Sequence, residues 1–210
     1  MDGPFATAMA RLPLVAILRG LTPAEAPEIL RALVGEGFAL IEVPLNSPEP
    51  LGSIRAMRDI APPGVLIGAG TVLSAAEVAD VAEAGGVLIV TPNCDTAIIG
   101  AAKARGLIAL PGVATPSEAF AALAAGADGL KAFPAEMIAP AIVKAWRAVL
   151  PAAAPILPVG GIAPETMASY IAAGANGFGL GSALYKPGDD AQRVARNAAA
   201  FVAAWRALGR

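Results

Sequence analysis

Asp128-Gly129-Leu130-Lys131-Ala132-Phe133-Pro134 is a short apolar run of strand-like composition, bounded by turn residues and interrupted by one cation. Lysine is almost never fully buried without a partner. Held in an apolar strand it loses its proton more readily than in water, which makes Lys131 a candidate amine nucleophile toward a carbonyl carbon. A free lysine near pKa ~10.4 is neutral in only about one molecule in 2,500 at pH 7. A fall of roughly three units, within reach of desolvation plus a neighbouring cation, would make a substantial share nucleophilic. The competing reading is a lysine at a strand end whose long stem lets the ammonium reach water.

Runs of the same kind recur on both sides of this one. Strands are expected near Leu14–Leu18, Ala39–Val43, Val65–Ala69, Val87–Val90, Ile108–Leu110, Gly129–Phe133, Ile156–Val159 and Gly177–Leu180. The stretches between them have helical periodicity and start signals at Thr22-Pro23, Ser47-Pro48, Ser74 with Glu77, Thr115-Pro116 with Glu118, and Ala163-Pro164-Glu165. Eight successive strand–helix units predict an α/β fold, a small (β/α)8 TIM barrel formed by residues 1–210 as a single domain. A doubly wound open sheet is the alternative, because a strand count does not prove closure.

Composition agrees with buried parallel strands: 56% of the 210 residues are hydrophobic and only 15% charged, with 23 Gly and 19 Pro as punctuation. Mean hydropathy is +0.64. The longest uncharged stretch, Thr166 to Tyr185, is interrupted by Gly174, Asn176, Gly177, Gly179 and Gly181, and reads as helix, turn and strand rather than a membrane span. Met1 to Ala10 carries Asp2 and no basic residue, so it lacks the start of a signal peptide. A cytoplasmic protein is expected. A net charge of −2 without a basic cluster argues against nucleic acid. The chain has no histidine and one cysteine, Cys94. That removes Ser/His and Cys/His nucleophile systems, imidazole metal sites and cysteine metal clusters, so proton transfer falls to carboxylate, lysine, water or substrate.

In a barrel of this kind the chemistry lies at the C-terminal ends of the strands. The residues there are Arg19, Glu42, Thr71, Thr91, Pro111, Lys131, Gly160 and Gly181. The second and sixth strands lie across from each other, so Glu42 faces Lys131. A carboxylate in Phe38-Ala-Leu-Ile-Glu-Val-Pro-Leu45 is costly to bury alone. It is either an ion-pair partner of Lys131 or Arg19, or a general acid/base working directly or through water. Arg19 offers a planar fork suited to a carboxylate, and Thr71 a hydroxyl that could donate to one. Gly160-Gly161 and Gly181-Ser182, at two successive late strand ends, let backbone N–H groups approach an anion and point to a phosphorylated ligand.

Ile17-Leu-Arg-Gly20, Glu42-Val-Pro-Leu-Asn-Ser-Pro48, Gly68-Ala-Gly-Thr-Val72, Thr91-Pro-Asn93, Leu130-Lys-Ala-Phe-Pro134, Pro158-Val-Gly-Gly161 and Gly177-Phe-Gly-Leu-Gly-Ser-Ala-Leu-Tyr185 together resemble the 2-keto-3-deoxy-phosphosugar aldolases, nearly end to end. The resemblance implies a class I aldolase with no metal and no cofactor, a homotrimer, that acts on a phosphorylated 2-keto-3-deoxy sugar acid and yields pyruvate and D-glyceraldehyde 3-phosphate. It implies Lys131 as the Schiff-base residue and Glu42 as proton acceptor. Arg19 and Thr71 become substrate binders, and Gly160, Gly161, Gly181 and Ser182 the phosphate cradle. Gluconate-type members typically carry arginine in a Glu-Val-Thr-Leu-Arg motif and threonine before the Gly-Gly turn. Asn46 and Val159 stand at those positions, a pattern similar to the branch that cleaves the C4 epimer, the 6-phosphogalactonate derivative. Both residues are therefore specificity candidates. The gluconate-type activity, a phosphosugar isomerase or decarboxylase on the same scaffold, and a non-catalytic phosphometabolite-binding protein are the alternatives.

Overall fold

The computed structural model describes residues 3–209. Its strands are β1 Leu14–Ile17, β2 Leu40–Pro44, β3 Leu66–Gly70, β4 Leu88–Val90, β5 Ile108–Leu110, β6 Gly112–Val113, β7 Leu130–Ala132, β8 Ile156–Pro158 and β9 Phe178–Leu180. The eight expected strands are all present, each within one residue of its expected ends, and β6 is additional. Pro111 is the reason: it has no N–H to give a ladder, so β5 pairs with β4 before it and β6 pairs with β7 after it.

Pairing is parallel throughout, in a six-stranded sheet ordered β5-β4-β3-β2-β1-β9 and a three-stranded sheet ordered β6-β7-β8. The first and last strands are neighbours, which curls the larger sheet. Between the sheets, Asp128 N donates to Ala109 O at 3.0 Å and Lys131 N to Pro111 O at 2.9 Å, while Val159, just past β8, makes an isolated parallel bridge to Gly179.

The helices among the described residues are α1 Pro4–Arg11, α2 Ala26–Gly35, α3 Pro50–Arg58, α4 Ala75–Glu83, α5 Thr96–Ala104, α6 Pro116–Ala124, α7 Pro140–Arg147, α8 Met167–Ala172 and α9 Ala191–Ala207. Capping boxes form as expected at Ser74/Glu77 and Thr115/Glu118. At the other two early signals the helix starts later. Thr22 gives both its N–H and its hydroxyl to Glu25 Oε2, and α2 begins only at Ala26. Ser47 accepts a hydrogen bond from Gly20 N at 2.9 Å, tying the loop after β2 to the loop after β1, and α3 begins at Pro50. A short 3-10 turn, Pro164–Thr166, leads into α8.

Alternation along the strands separates two apolar layers. Leu14, Ala16, Ile41, Val43, Ile67, Ala69, Leu130, Ala132, Ile156, Phe178 and Leu180 point outward into the core shared with the helices. Val15, Leu40, Leu66, Leu88, Val90, Leu110 and Leu157 point inward, where Phe5 and Ala8 of α1 join them at the N-terminal end of the strands. Glu42 is two residues from inward Leu40, and Lys131 lies between outward Leu130 and Ala132, so both charges belong to the inner face. Among the described residues no helix is long and apolar enough to cross a membrane.

Ser74→Ala removes the side chain that accepts from Glu77 N and should cost about 1 kcal/mol of stability, read as a shift of the urea midpoint at unchanged slope.

Candidate active site

The strands are parallel, so their C-terminal ends open on one side, and two connected spaces lie there. The inner one, about 10 Å³, is lined by Val15, Ile17, Glu42, Val90, Leu110, Lys131, Leu157, Val159 and Gly179. It offers room for about one water molecule. The outer one is a cleft of about 500 Å³ bordered by the loops after β1, β2, β7, β8 and β9. Ile17, Lys131 and Val159 line both, so the amine stands where the wide cleft narrows to the small inner pocket.

Lys131 is 7% exposed. Burial drives its pKa below the usual lysine value. Glu42 opposes that fall, and Arg19 adds to it. The Nζ lies 4.6 Å from the centroid of the Phe133 ring, a contact that favours the ammonium form but does not reverse the direction.

Glu42 is 1% exposed, and its pKa is raised from 4.5 to about 7 by burial, against the pull of Lys131, Arg19 and the backbone of Gly70. Among the described residues it forms no ion pair, and Oε2 has no hydrogen-bond partner. The ion-pair reading of Glu42 therefore finds no contact to support it. Gly70 makes room for the carboxylate: a Cβ on Gly70 would fall 2.0 Å from Oε2.

The remaining expected residues are distributed around these two groups. Arg19 is exposed at the rim and donates from Nη1 to Asn46 Oδ1 at 2.5 Å, so Asn46 orients the guanidinium. Gly160 and Gly161 adopt φ of +113° and +61°, the region glycine tolerates, and with Gly181 and Ser182 they form the far wall of the cleft. The N–H groups of Gly161, Ser182 and Ala183 donate to no described group. Thr71 is held at φ +56°, a strained position for a β-branched residue, and lines neither space.

Phe133, Glu136, Tyr185 and Lys186 also line the cleft and were not expected there. Glu136 and Lys186 are ordinary charged loop residues, and their proximity to Lys131 in sequence or to Gly181 is the only signal they carry. Tyr185 is 2% exposed with an unpartnered hydroxyl, its pKa pushed up to about 12 by burial, with Glu25 and Asp189 adding to the rise.

A lysine whose pKa burial has lowered, facing the same apolar pocket as a carboxyl that titrates at about 7, gives up its proton more readily than a lysine in water and can then attack a carbonyl, with the carboxyl moving the protons that follow. Enzymes that make and break bonds next to a ketone are built this way. The chain belongs to the KDPG and KHG aldolase family, whose model matches residues 6–197. It is 51% identical over 93% of its length to the probable 2-dehydro-3-deoxy-6-phosphogalactonate aldolase of Rhizobium meliloti, covering 92% of that protein. To the 2-dehydro-3-deoxy-6-phosphogalactonate aldolase of Escherichia coli K12 it is 48% identical over 93% of its length, covering 96% of that enzyme. Among solved structures, a native KDPGal structure superposes with a TM-score of 0.93 at 47% identity, covering 95% of this chain and 97% of the other. KDPG aldolase from Legionella pneumophila, with pyruvate captured as a covalent carbinolamine intermediate, superposes with a TM-score of 0.81 at 25% identity, covering 99% and 98%.

The raised Glu42 pKa has a consequence for stability. A carboxyl whose pKa is higher folded than unfolded stabilises fully below the unfolded value, and that contribution is lost as pH rises through the folded value. The shift from 4.5 to about 7, at ~1.4 kcal/mol per unit, corresponds to roughly 3 kcal/mol. Urea unfolding at a series of pH values should show wild type losing stability relative to Glu42→Gln between about pH 4.5 and 7.

Proposed function

We propose that this protein is a class I aldolase that cleaves 2-dehydro-3-deoxy-6-phospho-D-galactonate to pyruvate and D-glyceraldehyde 3-phosphate through a Schiff base on Lys131. The observation that carries the reading is the placement of Lys131: 7% exposed, its pKa lowered by burial, at the junction of a substrate-sized cleft and a pocket containing Glu42. Similarity to two galactonate-type aldolases supports the choice of epimer.

In this mechanism neutral Lys131 adds to the C2 ketone, protonated Glu42 gives its proton to the hydroxyl of the carbinolamine so that it leaves as water, and an iminium cation and an ionised Glu42 remain. Glu42 takes the C4 hydroxyl proton, directly or through the one water its pocket can hold. The C3–C4 electron pair moves into the iminium, giving an enamine and releasing the triose phosphate. Glu42, now protonated, returns the proton to C3, and hydrolysis frees pyruvate and the amine. A group titrating at about 7 is suited to both transfers.

Arg19, oriented by Asn46, binds the substrate at the cleft rim, and Thr71, outside the lining of both spaces, reaches the substrate carboxylate only if the end of β3 shifts toward the bound substrate. Gly160, Gly161, Gly181 and Ser182 cradle the phosphate with unpaired N–H groups. Val159, which lines both spaces, and Asn46 tune the response to the C4 configuration. The scaffold in this reading is one domain, a (β/α)8 barrel closed by the Val159–Gly179 bridge and the bonds beside Pro111, and the protein acts as a cytoplasmic homotrimer.

Lys131→Ala should abolish turnover and the borohydride-trapped adduct with pyruvate, measured by intact mass; stoichiometric trapping in the variant would reject Lys131. Glu42→Gln should lower kcat by about 10²-fold or more while leaving a slower trapping reaction. Comparing kcat/KM for pyruvate release from the two C4 epimers should favour the galactonate form.

A further inference from the structure

Glu136 lies in the loop after β7 and has no part in the mechanism above. Its carboxylate stands over the Gly160-Gly161 turn. A Cβ built on Gly160 would fall 2.2 Å from Oε2 and 3.1 Å from Oε1, and one built on Gly161 would fall 3.2 Å from Cγ. The turn thus presents bare backbone to this space, and the acid occupies the space in front of it. Glu136 is exposed, and among the described residues it accepts no hydrogen bond and forms no ion pair. Nothing in the fold anchors it there, so rotation about its side-chain torsions costs little. Lys186 lines the same cleft as the opposing charge.

We propose that Glu136 is a specificity-determining residue whose carboxylate competes with phosphate for the glycine turn. The proposal deepens the phosphosugar reading and rests on it. Two anions cannot share this volume, and a fixed negative charge disfavours any anion that arrives alone. A phosphate tethered to a keto acid already engaged at Lys131 arrives at high effective concentration and displaces the acid. Free phosphate has no second anchor. The residue therefore admits the phosphate of the correct substrate and screens out phosphate from solution, which would otherwise block the cleft.

The test uses Glu136→Gln and Glu136→Ala in the full chain. Calorimetric titration with inorganic phosphate should show binding about twofold to fivefold tighter in both variants than in wild type, the size expected for removing one exposed like charge. In the condensation direction, with pyruvate, inorganic phosphate should inhibit both variants at correspondingly lower concentration. Unchanged or weaker phosphate binding would overturn the proposal, as would a gain confined to Glu136→Gln, since that amide could itself donate to phosphate. Borohydride trapping of pyruvate on wild type is run in parallel. Its failure would reject the aldolase reading and leave the phosphate titration to judge Glu136 by itself.

Discussion

Glu42 and Lys131 are held on the concave face of one curled sheet, out of water and without direct contact with each other. Burial opposes both charges, raising the acid and lowering the base, so their charged forms are disfavoured at the pH where each would ordinarily be ionised. Mutual attraction pulls the other way at both residues and loses. The surrounding inner face is apolar because any additional polar lining would restore the solvation whose loss makes the two groups reactive. Gly70 serves the same requirement by giving up its side chain to the carboxylate.

From this deep end the cleft widens toward groups of a different kind. Arg19 is held by one hydrogen bond to Asn46, and the glycine turns offer backbone donors. These are polar and near the surface, as suits recognition, whereas the inner pair is buried among apolar side chains with room for about one water, as suits bond making. The loops after β1 and β2 are tied together by Ser47 and Gly20, so the arginine and its orienting asparagine sit on a braced rim.

The strands were legible because each is a nearly unbroken apolar run between turn residues. Glu42 and Lys131 were legible for the same reason, as the charges that interrupt such runs. Pro111 was visible, but its effect on pairing depends on which neighbour each half of the strand meets. Helix α1 was not foreseen, because its apolar contribution is only Phe5, Ala8 and Met9, too short a stripe to stand out. Glu136, Lys186 and Tyr185 look like any loop residues until folding brings the loops after β7 and β9 to one cleft. Thr71, foreseen at a strand end, lies beside the pocket rather than along it, and its left-handed backbone is the trace of that placement.

Phe5 and Ala8 pack with the inward side chains at the base of the strands, and at the other end Lys131 stands where the inner pocket meets the outer cleft. In the proposed reaction this junction sets an order. With the three-carbon acid tethered to Lys131 in that reading, the sugar fragment lies in the outer cleft, so the phosphorylated fragment departs first and the acid last. Run backward, the same architecture loads the acid before its partner, which makes one product a competitor for the empty chamber and the other a visitor only to a chamber already occupied.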